Sequence, residues 1–120
     1  MGKTILVVED SPTELSLIKQ AIQTKNYNLI YAVDGEEAIA KATKDLPDLI
    51  LLDVVLPKKN GFQVCRQLKT AAQTKNIKII MLTSKNQESD KFWGMKQGAD
   101  EYLTKPFKGD DLLKAIAKFI

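Results

Sequence analysis

Four polar signatures in this chain each follow a short apolar run: Glu9-Asp10, Asp53, Thr83-Ser84 and Lys105-Pro106. Three carboxylates, a hydroxyl pair and an ammonium are the parts of one kind of chemistry. Carboxylates brought into one crevice repel each other, and one of them would take up a proton unless a cation intervenes. All-oxygen donors favour a hard ion such as Mg²⁺, with Mn²⁺ as a substitute. Glu9, Asp10 and Asp53 bring three negative charges, and a divalent ion together with Lys105 balances them. A phosphoryl group placed on Asp53 would add anionic oxygens, which the cation, Lys105, the Thr83 hydroxyl and backbone N–H groups can meet. The set therefore suits phosphoryl transfer onto a carboxylate, with Asp53 as acceptor. Taken singly the signatures are ordinary: an acidic pair opens helices, Thr-Ser caps them and Lys-Pro makes turns. Their order and common placement carry the argument.

The elements that must position these residues alternate strictly. Thr4–Val8 is a β-branched run of strand length, and residues 13–25 place Leu15, Ile18 and Ile22 at helical spacing. Asn28–Ala32 reads as a strand. Asp34 then caps a helix carrying Ala38, Ile39 and Ala42 inward, with Glu37 at capping-box spacing. Leu49–Leu52 is a continuous apolar strand, and residues 61–71 form a helix with Phe62, Cys65 and Leu68 on one face. Residues 77–82 are another apolar strand. A helix over 88–97 ends at Gly98, a short strand covers 101–103, and a closing helix over 110–120 packs through Leu113, Ile116 and Ile120. Strands and helices in alternation predict a parallel sheet with right-handed crossovers, in an α/β doubly wound fold. Strands apolar on both faces need helices on both faces. In such a sheet ligands bind beyond the carboxyl ends of the strands, where all four polar signatures fall.

The rest of the chain narrows the class. Its 120 residues make one domain, with 44% hydrophobic and 28% charged residues, as in an ordinary globule. There is no histidine, which excludes Ser-His-Asp catalysis and His-ligated zinc or haem. Cys65 is the only cysteine, so an internal disulfide is impossible and a reducing cytoplasm is the expected compartment. No apolar run is long enough to span a membrane, and the N-terminus reaches acidic residues too soon for a signal peptide. The net charge of +3 comes from lysines spaced mostly singly, which argues against a nucleic-acid surface.

These motifs resemble the receiver domains of two-component response regulators, in particular the stand-alone chemotaxis type, across essentially the whole chain. The matching segments are Leu6-Val-Val-Glu-Asp-Ser-Pro12, Asp34-Gly35, Pro47-Asp-Leu-Ile-Leu-Leu-Asp53, Pro57-Lys-Lys-Asn-Gly61, Met81-Leu-Thr-Ser84, Gly98-Ala99-Asp100 and Tyr102-Leu-Thr-Lys-Pro-Phe107. The resemblance implies a flavodoxin-like fold with strand order 2-1-3-4-5 and a single receiver over residues 1–120 with no output domain. It implies that Asp53 is phosphorylated by the phosphohistidine of a sensor kinase or a His-phosphotransfer protein. Asp10, Asp53 and the Val55 carbonyl would bind Mg²⁺ directly, and Glu9, where many relatives carry Asp, through water. Lys105 would pair with phosphoryl oxygens across a cis Lys105-Pro106 bond. Thr83 would move toward the phosphoryl group and Tyr102 would turn inward behind it. The output surface would be the fourth helix, last strand and last helix, with Lys91, Met95 and Tyr102 as contacts for a protein target. The wording Glu9-Asp-Ser-Pro-Thr-Glu14 with Gly61-Phe-Gln-Val-Cys-Arg66 is also similar to regulators of pilus-based motility and taxis.

Three other readings fit less well. An aspartate-nucleophile phosphatase carries a second Asp where this chain has Val55. A flavin-binding flavodoxin needs a Ser/Thr/Gly-rich loop where this chain has Glu9-Asp10, which would repel a phosphate. A scaffold without chemistry would not need Asp53, Thr83 and Lys105 together. The resemblance also implies that Val55 and Lys85, two residues after Asp53 and two after Thr83, would border the path of attacking water; neither can orient or deprotonate it, so slow self-dephosphorylation is expected. Cys65 is expected to be a small buried hydrophobe, Gly61 to close the loop after Pro57, and Phe92 to face the core. Trp93 has no assignment from spacing alone.

Overall fold

The β-branched and leucine-rich runs form the middle of a sheet because both of their faces are covered. The computed structural model describes residues 2–120, so Met1 of the expected domain lies outside them. Five strands, β1 (Thr4–Val8), β2 (Asn28–Ala32), β3 (Leu49–Leu52), β4 (Lys78–Thr83) and β5 (Glu101–Thr104), alternate with five helices. These are α1 (Pro12–Ile22), α2 (Gly35–Asp45), α3 (Gly61–Thr70), α4 (Glu88–Lys96) and α5 (Gly109–Ala117). All strand pairs are parallel, in the order β2-β1-β3-β4-β5.

Alternation of side chains along the strands sorts the core into two layers. Leu6, Val8, Ile50, Leu52, Ile79 and Met81 pack with Ala38, Ala42, Val64, Cys65 and Leu68 of α2 and α3. Ile5, Val7, Leu49, Leu51, Ile80 and Leu82 pack with Ile18, Ile22, Leu112, Ala115 and Ile116 of α1 and α5. Each fully buried Leu or Ile contributes about 1.5–3 kcal/mol, so these layers fix which face each helix covers.

Several local expectations change. Helix α1 stops at Ile22, its last core residue, instead of running to residue 25. Helix α5 ends at Ala117, and its core face is Leu112, Ala115 and Ile116, with Leu113 and Ile120 only half-buried. Asp34 does cap α2 by accepting from Glu37 N at 2.8 Å. The reciprocal bond of a capping box is absent, because Glu37 Oε1 accepts from Val33 N, one residue before the cap. A closed capping box occurs instead at α3, between Asn60 and Gln63. Phe92 is exposed, not core. Helix α4 turns Gly94 inward onto Tyr102 and Met81, and Phe92 lies about 200° around the helix from that residue.

Candidate functional site

Parallel register carries the four signatures to one edge of the sheet. Val8 pairs with Leu52, so Glu9 and Asp53 leave neighbouring strands together, and Asp53 N donates to Val8 O at 3.2 Å. Thr83 pairs with Thr104, and Lys105 N donates to Thr83 O at 2.8 Å. Strand order reverses between β1 and β3, which places this edge at the topological switch point.

Lys105 is the centre of the site. Its Nζ lies 2.5 Å from Glu9 Oε1, 3.2 Å from Asp53 Oδ2 and 3.6 Å from Glu14 Oε2. The Lys105 and Glu9 side chains are 8% and 2% exposed, so this ion pair is nearly dry. Burial by itself would lower the Lys105 pKa, but the hydrogen bond to Glu9 and the charge of Asp53 outweigh it and hold the ammonium above its ordinary value. Burial raises the Glu9 pKa, and Lys105 and Ser11 N, which donates at 3.1 Å, offset part of that rise. Asp53 Oδ1 accepts from Val55 N at 3.2 Å, which orients the carboxylate.

Loop geometry behind Asp53 depends on Gly61. Gly61 N donates to Val54 O at 2.8 Å, and a Cβ on Gly61 would stand 2.2 Å from Asp53 O. Only a residue without a side chain lets the start of α3 close on the acceptor strand, which is the loop-closing role expected for it. Lys58 adopts φ 68° in the same loop.

The expected convergence of three carboxylates is only partial. Glu9 and Asp53 meet through Lys105, while Asp10 is exposed. Among the described residues no group of three acidic, thiol or imidazole side chains forms a ready metal cage, and the Lys105 ammonium stands on two of the carboxylates. The donor set still fits a hard divalent ion. It consists of oxygens alone, and its three negative charges exceed the single charge of Lys105 by two.

Thr83 is fully buried, and its Oγ1 accepts from Lys85 N at 3.4 Å. Tyr102 is half-buried and its Oη donates to Lys85 O at 2.7 Å. Burial, then the charges of Asp90 and Asp53, push its phenol up to about 12. The Lys105-Pro106 bond is cis. Val55 and Lys85 are exposed and line one cleft of about 290 Å³ with Asn60 and Phe62. On α4, Met95 is exposed and Lys91 half-buried. Trp93, unassigned by spacing, is exposed. Cys65 is buried, and desolvation pushes its thiol up to about 12. Spacing arguments missed Glu14 and the role of Asp100, whose Oδ2 binds Lys69 Nζ at 2.8 Å and Ile79 N at 2.9 Å. The one signal for Glu14 was its place in the first turn of the helix after Glu9-Asp10.

Comparison with known proteins agrees with this geometry. The family model for the response regulator receiver domain matches residues 5–117. The chain is 44% identical over 112 residues to protein PilH of Pseudomonas aeruginosa, covering 93% of each. It spans about half or less of the length of the other curated relatives it matches. The structure is similar to that of chemotaxis response regulator CheY4 of Vibrio cholerae, with TM-score 0.91, 32% identity and full coverage of both chains. It also resembles the receiver domain of sensor histidine kinase PA1611 of P. aeruginosa, solved with magnesium in its active-site cleft. There the TM-score is 0.91 and the identity 28%, covering 99% of this chain and 98% of that one.

Proposed function

The chain belongs to the response regulator receiver family of two-component signalling, and we propose that Asp53 is its phosphoryl acceptor. The observation that carries this is the Lys105 bridge. A buried ammonium contacts the Asp53 carboxylate at 3.2 Å, at the sheet's switch point. An Asp53 oxygen forms a bond to phosphorus as the bond to the donor histidine nitrogen breaks, and the imidazole leaves with the electron pair. Lys105 then meets the added phosphoryl oxygens in place of a carboxylate, and Thr83 supplies a hydroxyl.

Asp10, Asp53 and the Val55 carbonyl would hold Mg²⁺, with Glu9 behind them. When bound, the ion supplies charge neutralisation for the phosphoryl oxygens. Tyr102 and Thr83 both contact the backbone of Lys85, through its carbonyl and its N–H. A shift of Thr83 toward the phosphoryl group is therefore passed to Tyr102 and α4, and differential contacts of this kind bias a two-state equilibrium. The output is contact with a protein target at α4, β5 and α5, with Lys91, Met95 and Tyr102 on that face. Likeness to PilH supports pilus-based motility or taxis as the process. The lysines are dispersed, which supports a protein target over nucleic acid. No described helix is long and apolar enough to cross a membrane. The proposed compartment is the cytoplasm, where an unpaired Cys65 persists as a thiol. Val55 and Lys85 border one cleft and offer no base for attacking water, which supports slow loss of the phosphoryl group.

Intact mass after incubation with acetyl phosphate tests the reading. Wild type gains one phosphoryl group with Mg²⁺ or Mn²⁺ and none with chelator, and holds it as the sample is followed in time. Asp53→Asn loses labelling by more than about a hundredfold, since an amide is no nucleophile. Normal labelling of that variant would overturn the assignment.

A further inference from the structure

Lys105 has one more anionic neighbour than phosphoryl transfer requires. The Lys105 Nζ contacts to Asp53, 3.2 Å, and to Glu14, 3.6 Å, laid end to end, hold those two carboxylates within about 6.8 Å of each other. Glu14 sits in the first turn of α1, where its backbone N–H donates to Ser11 Oγ, so its side chain is not the cap of that helix. The side chain is 38% exposed and, with Lys105, lines a cavity of about 540 Å³ walled by Leu17, Ala21, Pro106 and Phe107. A partly exposed negative charge thus stands beside the acceptor, across the Lys105 ammonium from it.

Resting on the reading of Asp53 as acceptor, we infer that Glu14 is a specificity-determining residue that discriminates among phosphoryl donors by their charge. A small anionic donor meets repulsion from Glu14 in proportion to its charge. A phosphohistidine on a docked protein offsets the same repulsion with the contacts of its own surface. Acetyl phosphate is a dianion near neutral pH, and phosphoramidate, protonated on nitrogen, is a monoanion. In both reactions an Asp53 oxygen bonds to phosphorus. With acetyl phosphate the phosphorus–oxygen bond breaks and acetate leaves with the electron pair. With phosphoramidate the phosphorus–nitrogen bond breaks and ammonia leaves.

Initial rates of phosphoryl incorporation, read by intact mass with Mg²⁺ present, test this on wild type, Glu14→Gln and Glu14→Asp. Coulomb repulsion over about 7 Å, weakened by solvent and salt, predicts that Glu14→Gln accelerates acetyl phosphate by about three- to tenfold. The same reasoning predicts about two- to threefold with phosphoramidate, because the donor carries half the charge. Glu14→Asp keeps the charge and holds the wild-type ratio between donors. At about 1 M salt, where the Debye length is about 3 Å, the contrast between donors collapses. Equal acceleration of both donors, or none, while labelling still depends on Asp53, overturns the role of Glu14 and leaves the acceptor assignment standing. Wild type that takes no phosphoryl group at Asp53 from either donor overturns the assignment and this inference with it.

Discussion

Around Lys105 the chain buries charge and answers it; along α4 it does the opposite with apolar side chains. Glu9, Asp53 and Lys105 give up water at the carboxyl edge of the sheet, and each finds an ionic partner there. Phe92, Trp93 and Met95 are 62%, 53% and 48% exposed on α4, and the buried residue of that helix is Gly94. A desolvated ion pair tolerates few arrangements, because an unpaired charge in that setting is expensive. Any anion arriving on Asp53 must therefore compete with a carboxylate for the same ammonium. Helix α4 meets the sheet through its glycine face and leaves an uncovered apolar surface, the kind that a partner covers. The site holds its charges in balance, and the helix leaves its large apolar side chains facing solvent.

Lys105→Ala should break this contrast most. It leaves Glu9 and Asp53 without their cation and is expected to destabilise the fold by about 3 kcal/mol at neutral pH in urea titrations. The loss should depend on pH with a definite sign. The Glu9 pKa is already raised above 4.5 by burial, and removing the ammonium raises it further. The native state then holds a proton that the unfolded chain releases. The deficit is smallest below about pH 4.5 and grows as pH rises through the folded pKa. An equal deficit at pH 4.5 and pH 7 would show that the carboxylates do not need Lys105.

Gly94→Ala tests the α4 side. The added Cβ would stand 2.8 Å from the Tyr102 ring and 3.0 Å from Met81 Sδ. Overpacking should destabilise by about 1–2 kcal/mol, although alanine is the better helix former by about 1 kcal/mol. The expected displacement of Tyr102 also breaks its bond to Lys85 O. In a double-mutant cycle, Gly94→Ala added to Tyr102→Ala should destabilise no further than Tyr102→Ala alone. Simple additivity would mean that Gly94 does not serve to admit the ring.

The smallest effect belongs to Phe92→Ser. An exposed aromatic outside the core should change the unfolding free energy by no more than about 0.5 kcal/mol. A loss above about 2 kcal/mol would return Phe92 to the core and erase the contrast between the two regions.

Local pattern carried the elements and the candidate residues of the site. Strand alternation and helical spacing are properties of neighbours a few residues apart, so the runs Thr4–Val8 and Leu49–Leu52 and the inward faces of α1 and α2 were legible without a fold. The four polar signatures could be read together because in a parallel sheet every strand ends at the same edge. Their roles came from resemblance, since the order of the strands is not written in any one of them. Tertiary structure decided what touches what. The pair Lys105–Glu9 joins residues 96 positions apart, and Glu14 enters only because α1 starts beside the end of β5. Likewise Phe92 faces solvent because the rotation of α4 is set by Gly94 lying against Tyr102, a contact between two elements that helical spacing within either one does not contain. Asp10 and Glu9 are adjacent in the chain yet differ in fate. Glu9 is buried against the Lys105 ammonium that β5 delivers to the same edge, whereas Asp10 is exposed, a difference set by the packing of distant segments and not by the local sequence.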